Sequence, residues 1–488
     1  MPHCIMIQGT MSGVGKSLLC AGLCRIFHQD GYRTAPFKSQ NMALNSYVTP
    51  DGLEIGRAQA MQAMAAGIEP DIRMNPILLK PTTDTGSQVI VNGIPTGNMD
   101  ARRYFAAKRD YLPGILDAYH SLQNDYEIIV IEGAGSPAEI NLKNDDIVNM
   151  GLAAAVDAPV LLVGNIDPGG VFAQLYGTVM LLEPQERQRI HGLVINKFRG
   201  DESLLEPGLV QISALTGKRV LGCIPYMDVH LEEEDSMAPE LRRTSRKQTG
   251  DDADIAVIRF PRISNFTDLE PLEYTEGLCV RYVSDPRQLG HPDALILPGS
   301  KNTLADRQWL SRRGLEPAIA GLVQDGTPVI GICGGYQILG DFIRDPYGTE
   351  GAPAEGSGLG FLPVATVMDR RKTLRRDRIT IPSLEGCFAP LSGCPVEGYE
   401  IHNGVSTCTD GSCGEAPAVM SCDNVMGTYV HGFFESAKVR RALLRIVGKE
   451  GNNGPSDWQS FREQQFDLLA DTLRRHLDMD RICSIAGI

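Results

Sequence analysis

Residues 9–17 read GTMSGVGKS, and this stretch decides the fold of the first half of the chain. An apolar pattern typical of a short strand precedes it at residues 3–8, and an amphipathic helical pattern follows it. A strand, a glycine loop ending in Gly-Lys-Ser and a helix together indicate a phosphate-binding loop, whose backbone amides surround phosphate oxygens. Five residues separate Gly9 from Gly15, one more than in the usual form, and the alternative interpretation is a structural glycine turn.

Four residues of this loop are candidates for contacts with a nucleotide. Gly13 and Gly15 let the backbone approach the phosphates closely, because they carry no side chain. Lys16 is in the position that reaches the terminal phosphates, and the Ser17 hydroxyl is in the position that holds Mg²⁺. The stretch therefore predicts a site for a nucleotide and its magnesium ion.

Strand patterns alternate with helical patterns through the rest of this half. Such alternation predicts a parallel sheet covered by helices on both faces. We expect strands at residues 33–37, 88–91, 127–131, 159–166, 192–197 and 219–225. We expect helices at residues 54–66, 101–122, 144–156 and 171–182.

Polar residues at the carboxyl ends of these strands are further site candidates, because ligands of parallel sheets bind there. Glu132 closes one strand and is a candidate for holding Mg²⁺, directly or through water. Asp145 and Asp146 follow its loop; we assign a catalytic or substrate role to Asp146, with Asp145 as the alternative. Asn196 ends a later strand, where it is expected to contact the nucleotide, and Asp167 ends another. For each carboxylate, the alternative interpretation is a helix cap.

Two lysines lie in polar stretches among the early elements. Lys38 is in FKSQNM at residues 37–42, and Lys80 is in NPILLKP at residues 75–81. We expect both on loops at the nucleotide edge of the sheet, where they would bind carboxylates or phosphates of a substrate. The alternative is that each is a solvated surface group.

The composition argues against several classes of partner. The 488 residues carry a formal net charge of -14, which disfavours nucleic acid and anionic membrane surfaces. No apolar run approaches the ~18 residues of a membrane span, and residues 4–7 lead into the glycine loop rather than a signal peptide. The 12 cysteines lack metal-site spacing, so we expect free thiols in a reducing cytoplasm.

A highly charged segment divides the chain. It contains EEED at residues 232–235 and RRTSRKQ at residues 242–248, without apolar periodicity, which is typical of an exposed linker. We therefore predict a first domain at residues 1–235, a linker at 236–252 and a second domain at 253–488 that includes the C-terminal helices.

The second half is organised around PVIGICGGYQ at residues 328–337. An apolar strand pattern ends at Cys333, and a helical pattern starts directly after it. A thiol at such a strand-to-helix turn lies near a helix N-terminus, which favours the thiolate, so Cys333 is a candidate nucleophile. A thiol nucleophile needs a base, and His431 and His402 both end β-rich runs. Chemistry alone leaves the choice between them open.

GICGGYQ at residues 331–337, together with YVHG at 429–432, resembles the class I, triad-type glutamine amidotransferase domain, which is an α/β fold. The resemblance implies that Cys333 attacks glutamine and that His431 is the general acid and then the base. It also implies that the amides of Gly334 and of the loop at Gly299 form the oxyanion hole. That class carries a glutamate two residues after the histidine; here Phe433 stands there, which implies a Cys–His dyad without an orienting carboxylate.

The first half resembles dethiobiotin synthetase in its glycine loop and in EGAG at residues 132–135. Residues 37–42, 54–59 and 75–81 further resemble the cobyric acid synthase family. This resemblance implies that ATP and L-glutamine are reactants, that Mg²⁺ is the cofactor, and that a corrinoid is the substrate. Four peripheral carboxylates (b, d, e and g) of adenosylcobyrinic acid a,c-diamide would be amidated to give adenosylcobyric acid, with ammonia attacking an acyl phosphate.

Two alternatives remain open from the sequence. One is amidation of a related corrinoid, as in the a,c-diamide synthases, although their stretch after the second strand differs. The other is a nucleotide-switch ATPase with a non-catalytic amidotransferase domain; partitioning ATPases carry an early loop lysine, where this chain has Met11 and Ser12. The oligomeric state, including a homo-oligomer, is also open.

Overall fold

The structure is a computed structural model that describes residues 3–83, 86–143, 145–231, 251–449 and 457–488. The first unit alternates strands and helices around a phosphate-loop core. Its elements are β1 (His3–Gly9), α1 (Lys16–Gln29), β2 (Thr34–Phe37), β3 (Gln40–Met42), β4 (Ser46–Val48), β5 (Glu54–Gly56), α2 (Arg57–Ala65), β6 (Ile77–Pro81), β7 (Gly86–Val91), β8 (Ile94–Asp100), α3 (Ala101–Ala107), α4 (Leu112–Asp125), β9 (Ile128–Glu132), α5 (Met150–Ala155), β10 (Val160–Asn165), α6 (Val171–Leu181), α7 (Pro184–Arg189), β11 (Ile190–Phe198), α8 (Glu206–Thr216) and β12 (Val220–Pro225).

The predicted parallel sheet is confirmed. Six strands pair in parallel in the order β12-β11-β10-β1-β9-β2. Side chains of β1 alternate between two buried apolar clusters: Ile5 and Ile7 pack toward α1, whereas Met6 packs on the opposite face. Because successive side chains of a strand point to opposite faces, this alternation means that both faces of the sheet are covered.

A second, smaller sheet departs from the expected pattern. The strand predicted at residues 88–91 lies in β7, which belongs to the sheet β3-β6-β7-β8 and not to the parallel one. β6, β7 and β8 pair antiparallel, as strands joined by short turns do. The helix predicted at 54–66 begins as β5, which pairs with β4, and becomes helical at Arg57. The helix predicted at 144–156 covers Met150–Ala155.

The second unit is also α/β. Its elements are β13 (Ala253–Ile258), β14 (Ile263–Ser264), α9 (Glu270–Glu273), β15 (Leu278–Val283), α10 (Pro286–Leu289), β16 (Ala294–Leu297), β17 (Gly299–Ser300), α11 (Thr303–Arg313), α12 (Leu315–Gln324), β18 (Val329–Ile332), α13 (Gly334–Leu339), β19 (Phe342–Asp345), β20 (Ala354–Ser357), β21 (Val364–Thr380), β22 (Pro395–Cys408), β23 (Val419–Cys422), β24 (Val425–Thr428), β25 (Val430–His431), α14 (Ala437–Ile446), α15 (Trp458–His476) and α16 (Met479–Ala486). The main sheet has the order β15-β13-β16-β18-β24-β23, and a second sheet has the order β20-β19-β21-β22-β25.

The last two helices, α15 and α16, pack on the first unit, although the predicted domain boundaries group them with the second. Phe466, Leu469 and Leu473 of α15 are fully buried in the cluster that covers α1. Arg25 of α1 also pairs with Asp467 at 2.7 Å. The predicted linker at 236–252 falls almost entirely outside the described residues. Within the described ranges, no helix combines the length and apolar character that crossing a bilayer requires.

Candidate active sites

The glycine loop between β1 and α1 has the backbone that a phosphate site requires. Gly13 and Gly15 have φ values of 71° and 92°, in the left-handed region that favours glycine. A Cβ on Gly9 would lie 2.5 Å from Val14 Cγ2, and one on Gly15 would lie 2.3 Å from Asn196 Nδ2. The loop is therefore closed tightly on both sides, and it keeps its shape only with these glycines.

Asn196, expected at the nucleotide, holds the loop itself. Its Nδ2 donates to Val14 O at 2.8 Å, and its Oδ1 accepts from the Lys197 amide. The side chain is buried at the end of β11. Its contact with the loop positions the backbone that would surround phosphates.

The two predicted magnesium ligands are brought together. Ser17 Oγ donates to Glu132 Oε1 at 2.9 Å, across the gap between α1 and the end of β9. Lys16 Nζ donates to Met11 O at 3.2 Å and to Gly135 O at 3.4 Å, so it lies over its own loop. A hydroxyl and a carboxylate are the oxygen ligands that Mg²⁺ prefers, and this donor set fits the ion.

Glu132 is the centre of a buried polar cluster. Lys38 Nζ donates to Oε1 at 2.8 Å, while Gln62 and Gln59 donate to Oε2 at 2.6 Å and 3.3 Å. Glu132 is 1% exposed and Lys38 is 4% exposed, so this ion pair is shielded from water. Ser17 and Glu132 are thus the residues that would hold Mg²⁺, and Lys38 shares Oε1 of Glu132 with Ser17.

Asp146 makes the contacts of a helix cap. Its Oδ1 accepts from the amides of Val148 and Asn149 at 2.9 Å each, and its Oδ2 accepts from Gly151 at 3.0 Å. These bonds hold the start of α5, where backbone donors lack helical partners. The structure thus shows Asp146 in the role of a helix cap, which is the alternative interpretation. The neighbouring Asp145 is exposed and 3.4 Å from Arg109.

Asp167 pairs with an arginine at the surface. Its Oδ1 accepts from Arg199 Nε at 3.0 Å, with both side chains well exposed. A surface pair of this kind contributes little to stability. The structure gives no contact that connects Asp167 to the glycine loop among the described residues.

Cys333 lies at a strained turn between β18 and α13. Its φ is 50° and its ψ is -104°, a conformation that non-glycine residues rarely adopt and that clusters at functional sites. A Cβ on Gly335 would lie 1.9 Å from Leu297 O, and one on Gly334 would lie 2.7 Å from Ser300 N. The glycines therefore let the turn press against the end of β16 and β17, as a nucleophile turn requires.

His431 ends β25 and faces this thiol. Both residues line one small cavity, and His431 Nε2 is buried without a hydrogen-bond partner among the described residues. His431 Nδ1 is 2.6 Å from Asp268 Oδ2. The expectation that His431 lacks a carboxylate partner is therefore wrong. Phe433 does stand two residues after His431, where the class I motif has glutamate, but Asp268 reaches the ring from a distant segment.

The charge state of His431 follows from these neighbours. Burial by itself lowers the pKa of an imidazole, because it disfavours the charged ring. The Asp268 carboxylate and the Cys333 thiol outweigh burial and raise the pKa of His431 to about 10. The ring is thus held as imidazolium at neutral pH, a state that stabilises a neighbouring thiolate.

His402, the other candidate base, is occupied elsewhere. Its Nδ1 lies 2.7 Å from Gly404 O and its Nε2 lies 3.3 Å from Glu400. Its ring stacks on Tyr429 with centroids 4.0 Å apart. Both ring nitrogens have partners, so the arrangement favours His431 as the base for Cys333.

One expected oxyanion donor, Gly334, follows Cys333 directly. The loop that holds the other, Gly299, reaches Gly334 through Ser300. Ser300 Oγ donates to Asp306 Oδ2 at 2.6 Å, inside the protein. Burial raises the pKa of Asp306 to about 7, against the bond from Ser300. This buried bond fixes the loop whose amide would face the thioester oxygen.

Two family models match the chain. Residues 5–238 match a CobQ/CobB/MinD/ParA nucleotide binding domain, and residues 254–439 match a CobB/CobQ-like glutamine amidotransferase domain. A cobyric acid synthase of Ruminiclostridium cellulolyticum is 52% identical over 99% of this chain and 96% of its own length. Those of Lachnoclostridium phytofermentans and Yersinia enterocolitica are 49% and 50% identical, over 99% of this chain and 99% and 97% of their lengths.

The chain belongs to the cobyric acid synthase family. The resemblance read from residues 37–42, 54–59 and 75–81 is confirmed, as is the pairing of a nucleotide-binding domain with an amidotransferase domain. Members of the cobyric acid synthase family are glutamine-hydrolysing ligases of cobalamin biosynthesis. The chain therefore uses ATP and glutamine.

Lys80 corrects one expectation for this member of the cobyric acid synthase family. It does not lie at the nucleotide edge; it lines the cavity of Cys333 and His431. Its Nζ donates to Ser46 Oγ at 2.8 Å and to Glu54 Oε1 at 3.0 Å, and Lys372 Nζ donates to Glu54 Oε2 at 2.5 Å. β6 belongs to the smaller sheet, which extends toward the second unit, and this explains the displacement.

The two units also meet through β4. The Ser46 amide donates to Asn265 Oδ1 at 2.9 Å, and Tyr399 Oη donates to Ser46 O at 3.0 Å. Tyr399 in turn stacks on His431, with ring centroids 5.3 Å apart. A strand of the nucleotide-binding unit is thus in contact with residues next to His431.

Several residues of both sites escape sequence reasoning. Gln59 and Gln62 differ by one helical turn, a spacing that places them on one face of α2, but nothing in the sequence identifies Glu132 as their partner. Lys301, Glu350 and Lys372 line the Cys333 cavity without any motif. These residues are recognised only by their burial around the cavity, which the folded chain shows and the sequence does not.

One pair of cysteines differs from the expected free thiols. Cys408 and Cys413 form a disulfide at the end of β22. The other described cysteines are free thiols, including the exposed Cys422. The expectation of free thiols is therefore wrong for this pair.

Proposed function

We propose that this chain amidates four peripheral carboxylates (b, d, e and g) of adenosylcobyrinic acid a,c-diamide in the cytoplasm, giving adenosylcobyric acid. One observation carries the proposal. A nucleotide site and a thiol–imidazole site share structure within one chain, because Lys80 of the nucleotide-binding unit lines the cavity of Cys333 and His431. Identity to cobyric acid synthases over nearly the whole chain supports the substrate.

In the nucleotide site, a corrinoid carboxylate oxygen attacks the γ-phosphorus of ATP. The bond to the bridging oxygen breaks, which gives an acyl phosphate and ADP. Lys16, Gly13 and Gly15 bind the phosphates in this proposal. Ser17 and Glu132 would hold Mg²⁺, which neutralises phosphate charge when bound.

Three further residues complete the proposed nucleotide site. Lys38 approaches the substrate carboxylate from its place beside Glu132, and Asn196 keeps the loop closed around the nucleotide. Asp146, which caps the start of α5, would act near the transferred phosphate in this proposal. If Asp146→Asn leaves every amidation step at the parental rate, that role is wrong.

In the amidotransferase site, the Cys333 thiolate attacks the side-chain amide carbon of glutamine. The carbon–nitrogen bond breaks as His431 gives its proton to the leaving nitrogen, which yields ammonia and a thioester. Water then attacks the thioester while His431 takes its proton, and the carbon–sulfur bond breaks to release glutamate. The amides of Gly334 and of the Gly299 loop stabilise the oxyanion in both steps.

Ammonia attacks the acyl carbon of the acyl phosphate, the carbon–oxygen bond to phosphate breaks, and the amide forms with release of phosphate and a proton. Ammonia must reach the acyl phosphate unprotonated to act as this nucleophile. In bulk water near neutral pH most ammonia is ammonium, so transfer through a shielded interior is favoured. The cavity at Cys333 is small, about 30 Å³, and Lys80 and Lys372 are part of its walls.

The test is mass spectrometry of the purified chain with ATP, Mg²⁺, glutamine and the a,c-diamide. Each amidation replaces a hydroxyl with an amino group and lowers the mass of the corrinoid by about one mass unit. We expect four successive decreases. No amidation of the diamide, with two decreases on the unamidated cobyrinic acid, would instead support an a,c-diamide synthase activity. No decrease on either corrinoid would contradict the proposal.

A further inference from the structure

The carboxylate of Asp268, far in sequence from the amidotransferase motifs, contacts the ring of His431 and the backbone amide of the next residue. Asp268 lies in a short 3-10 helix, Phe266–Leu269, 163 residues before His431. Its Oδ2 is 2.6 Å from His431 Nδ1, and its Oδ1 accepts from the Gly432 amide at 2.9 Å. The side chains of His431 and Asp268 are 1% and 5% exposed. Both carboxylate oxygens are thus used, and water is excluded.

We propose that Asp268 is the positioning residue of the glutaminase reaction, which replaces the glutamate that the class I motif places after the histidine. The inference deepens the proposed function and rests on it. Asp268 does not touch glutamine; it acts through His431.

The geometry explains how Asp268 acts. A carboxylate on Nδ1 keeps a proton on that nitrogen, so the exchangeable position is Nε2, the nitrogen directed at Cys333. When His431 gives its Nε2 proton to the leaving nitrogen, the neutral ring keeps the Nδ1–H···Oδ2 bond. When the ring then takes a proton from water, Asp268 stabilises the positive charge. The second bond, from Gly432, prevents the carboxylate from rotating away.

The segment that carries Asp268 is itself held. Asn265 precedes the 3-10 helix with a φ of 50°, and its Oδ1 accepts from the Ser46 amide. Just before it, β14 pairs with β17, Ser264 opposite Gly299. The same segment therefore connects Asp268 to the loop expected to supply an oxyanion donor. A carboxylate with this support is positioned before substrate binds, as catalytic geometry requires.

Other charged groups also surround His431. Tyr399 stacks on its ring, and the shared cavity is lined by further titratable side chains, namely Lys80, Lys301, Glu350, Lys372 and His402. In the contacts described, Asp268 is the carboxylate bonded to the ring of His431. Substitution at Asp268 therefore changes the partner of Nδ1 and leaves the other groups in place.

The test compares Asp268→Asn with the parent chain. The amide keeps the size of the side chain but is neutral and allows the wrong tautomer of His431. We expect glutamine hydrolysis to fall by about 10²-fold or more, the magnitude of general acid–base catalysis. Amidation with added ammonia should stay within about twofold of the parent, and Asp268→Glu should recover part of the hydrolysis.

A second measurement separates positioning from a structural role. Cys333 is alkylated with iodoacetamide at a series of pH values, and mass spectrometry of its peptide gives the rate. This rate reports the fraction of Cys333 present as thiolate at each pH. In Asp268→Asn the imidazolium is less stable, so the alkylation midpoint of Cys333 should move to higher pH. The exposed Cys422 in the same samples is the internal reference and should not change.

A matched control is Glu273→Gln, which removes a partly buried carboxyl that accepts a hydrogen bond from Tyr282 at 3.0 Å and does not contact His431 in the described bonds. It should leave the alkylation profile of Cys333 unchanged. Parental hydrolysis in Asp268→Asn would overturn the inference, and so would lost hydrolysis with an unchanged alkylation profile. A parent chain that hydrolyses no glutamine would instead contradict the proposed function.

Discussion

Glu54 and Gln59 lie on one continuous segment, β5 followed by α2, yet their side chains belong to different sites. Glu54 Oε1 accepts from Lys80, which lines the Cys333 cavity, at 3.0 Å. Gln59 Nε2 donates to Glu132 Oε2 in the nucleotide site at 3.3 Å. One continuous segment therefore supplies a side chain to each of the two sites.

The first prediction concerns this buried cluster. Glu54 is fully buried between Lys80 and Lys372; burial raises the pKa of its carboxyl, but the two lysines outweigh it and hold that pKa well below the usual range. Glu54→Gln leaves two buried lysines without their carboxylate, so we expect a loss of roughly 3–5 kcal/mol in stability. Chemical denaturation of the parent and variant chains measures this loss in the free energy of unfolding.

The control for that prediction is Glu69→Gln. Glu69 pairs with Arg376 at 2.8 Å, but its side chain is 68% exposed, so the loss should stay below about 1 kcal/mol. Equal losses for both variants would contradict the idea that Glu54 organises the contact between the units.

The second prediction separates the two reactions. Cys333→Ala removes the nucleophile, so we expect glutamine-dependent amidation to fall to background while amidation with added ammonia continues. Product formation is followed with each nitrogen source in turn. Cys422→Ala, at an exposed cysteine, should change neither rate. Loss of both activities in Cys333→Ala would argue against separable sites.

The third prediction concerns the glycine loop. In Gly15→Ala, the new Cβ would lie 2.3 Å from Asn196 Nδ2 at a φ of 92°, which costs about 1–2 kcal/mol in backbone strain alone. We expect binding of a non-hydrolysable ATP analogue, measured by calorimetry, to weaken by about tenfold or more. Gly114→Ala in α4 meets no atom within 4 Å and should bind the analogue normally.

The fourth prediction is a dependence of stability on pH. The folded chain raises the pKa of His431 from 6.5 to about 10, because Asp268 and Cys333 outweigh burial. The stabilisation from this proton is complete below about pH 6.5 and is lost as pH rises through about 10. We expect the stability difference between the parent and Asp268→Asn to shrink over that window.

Urea denaturation of both chains at about pH 6, 8 and 10 measures this difference. Groups that titrate equally in both chains cancel in the comparison. A difference that stays constant across the window would show that Asp268 does not stabilise the protonated ring.

Much of the fold was predictable because its signals are local. The glycine loop needs its strand, its glycines and its helix in immediate succession, and the Cys333 turn needs glycines on both sides. Alternation of strand and helix patterns predicts the parallel sheet. Glu132 is a site candidate because it ends a strand. Residues 88–91 were misplaced because a strand pattern does not specify which sheet receives the strand.

The sequence by itself determined the motifs, the glycine loop and the family, and it predicted Cys333 as the nucleophile, since each depends on residues close together in the chain. Only the tertiary structure decided that Asp268 reaches His431, that Lys80 lines the thiol cavity and that α15 packs on α1. These contacts join segments far apart in the chain. They depend on how sheets and helices pack, because burial brings a carboxylate or a lysine to its partner without leaving any periodic pattern in the sequence.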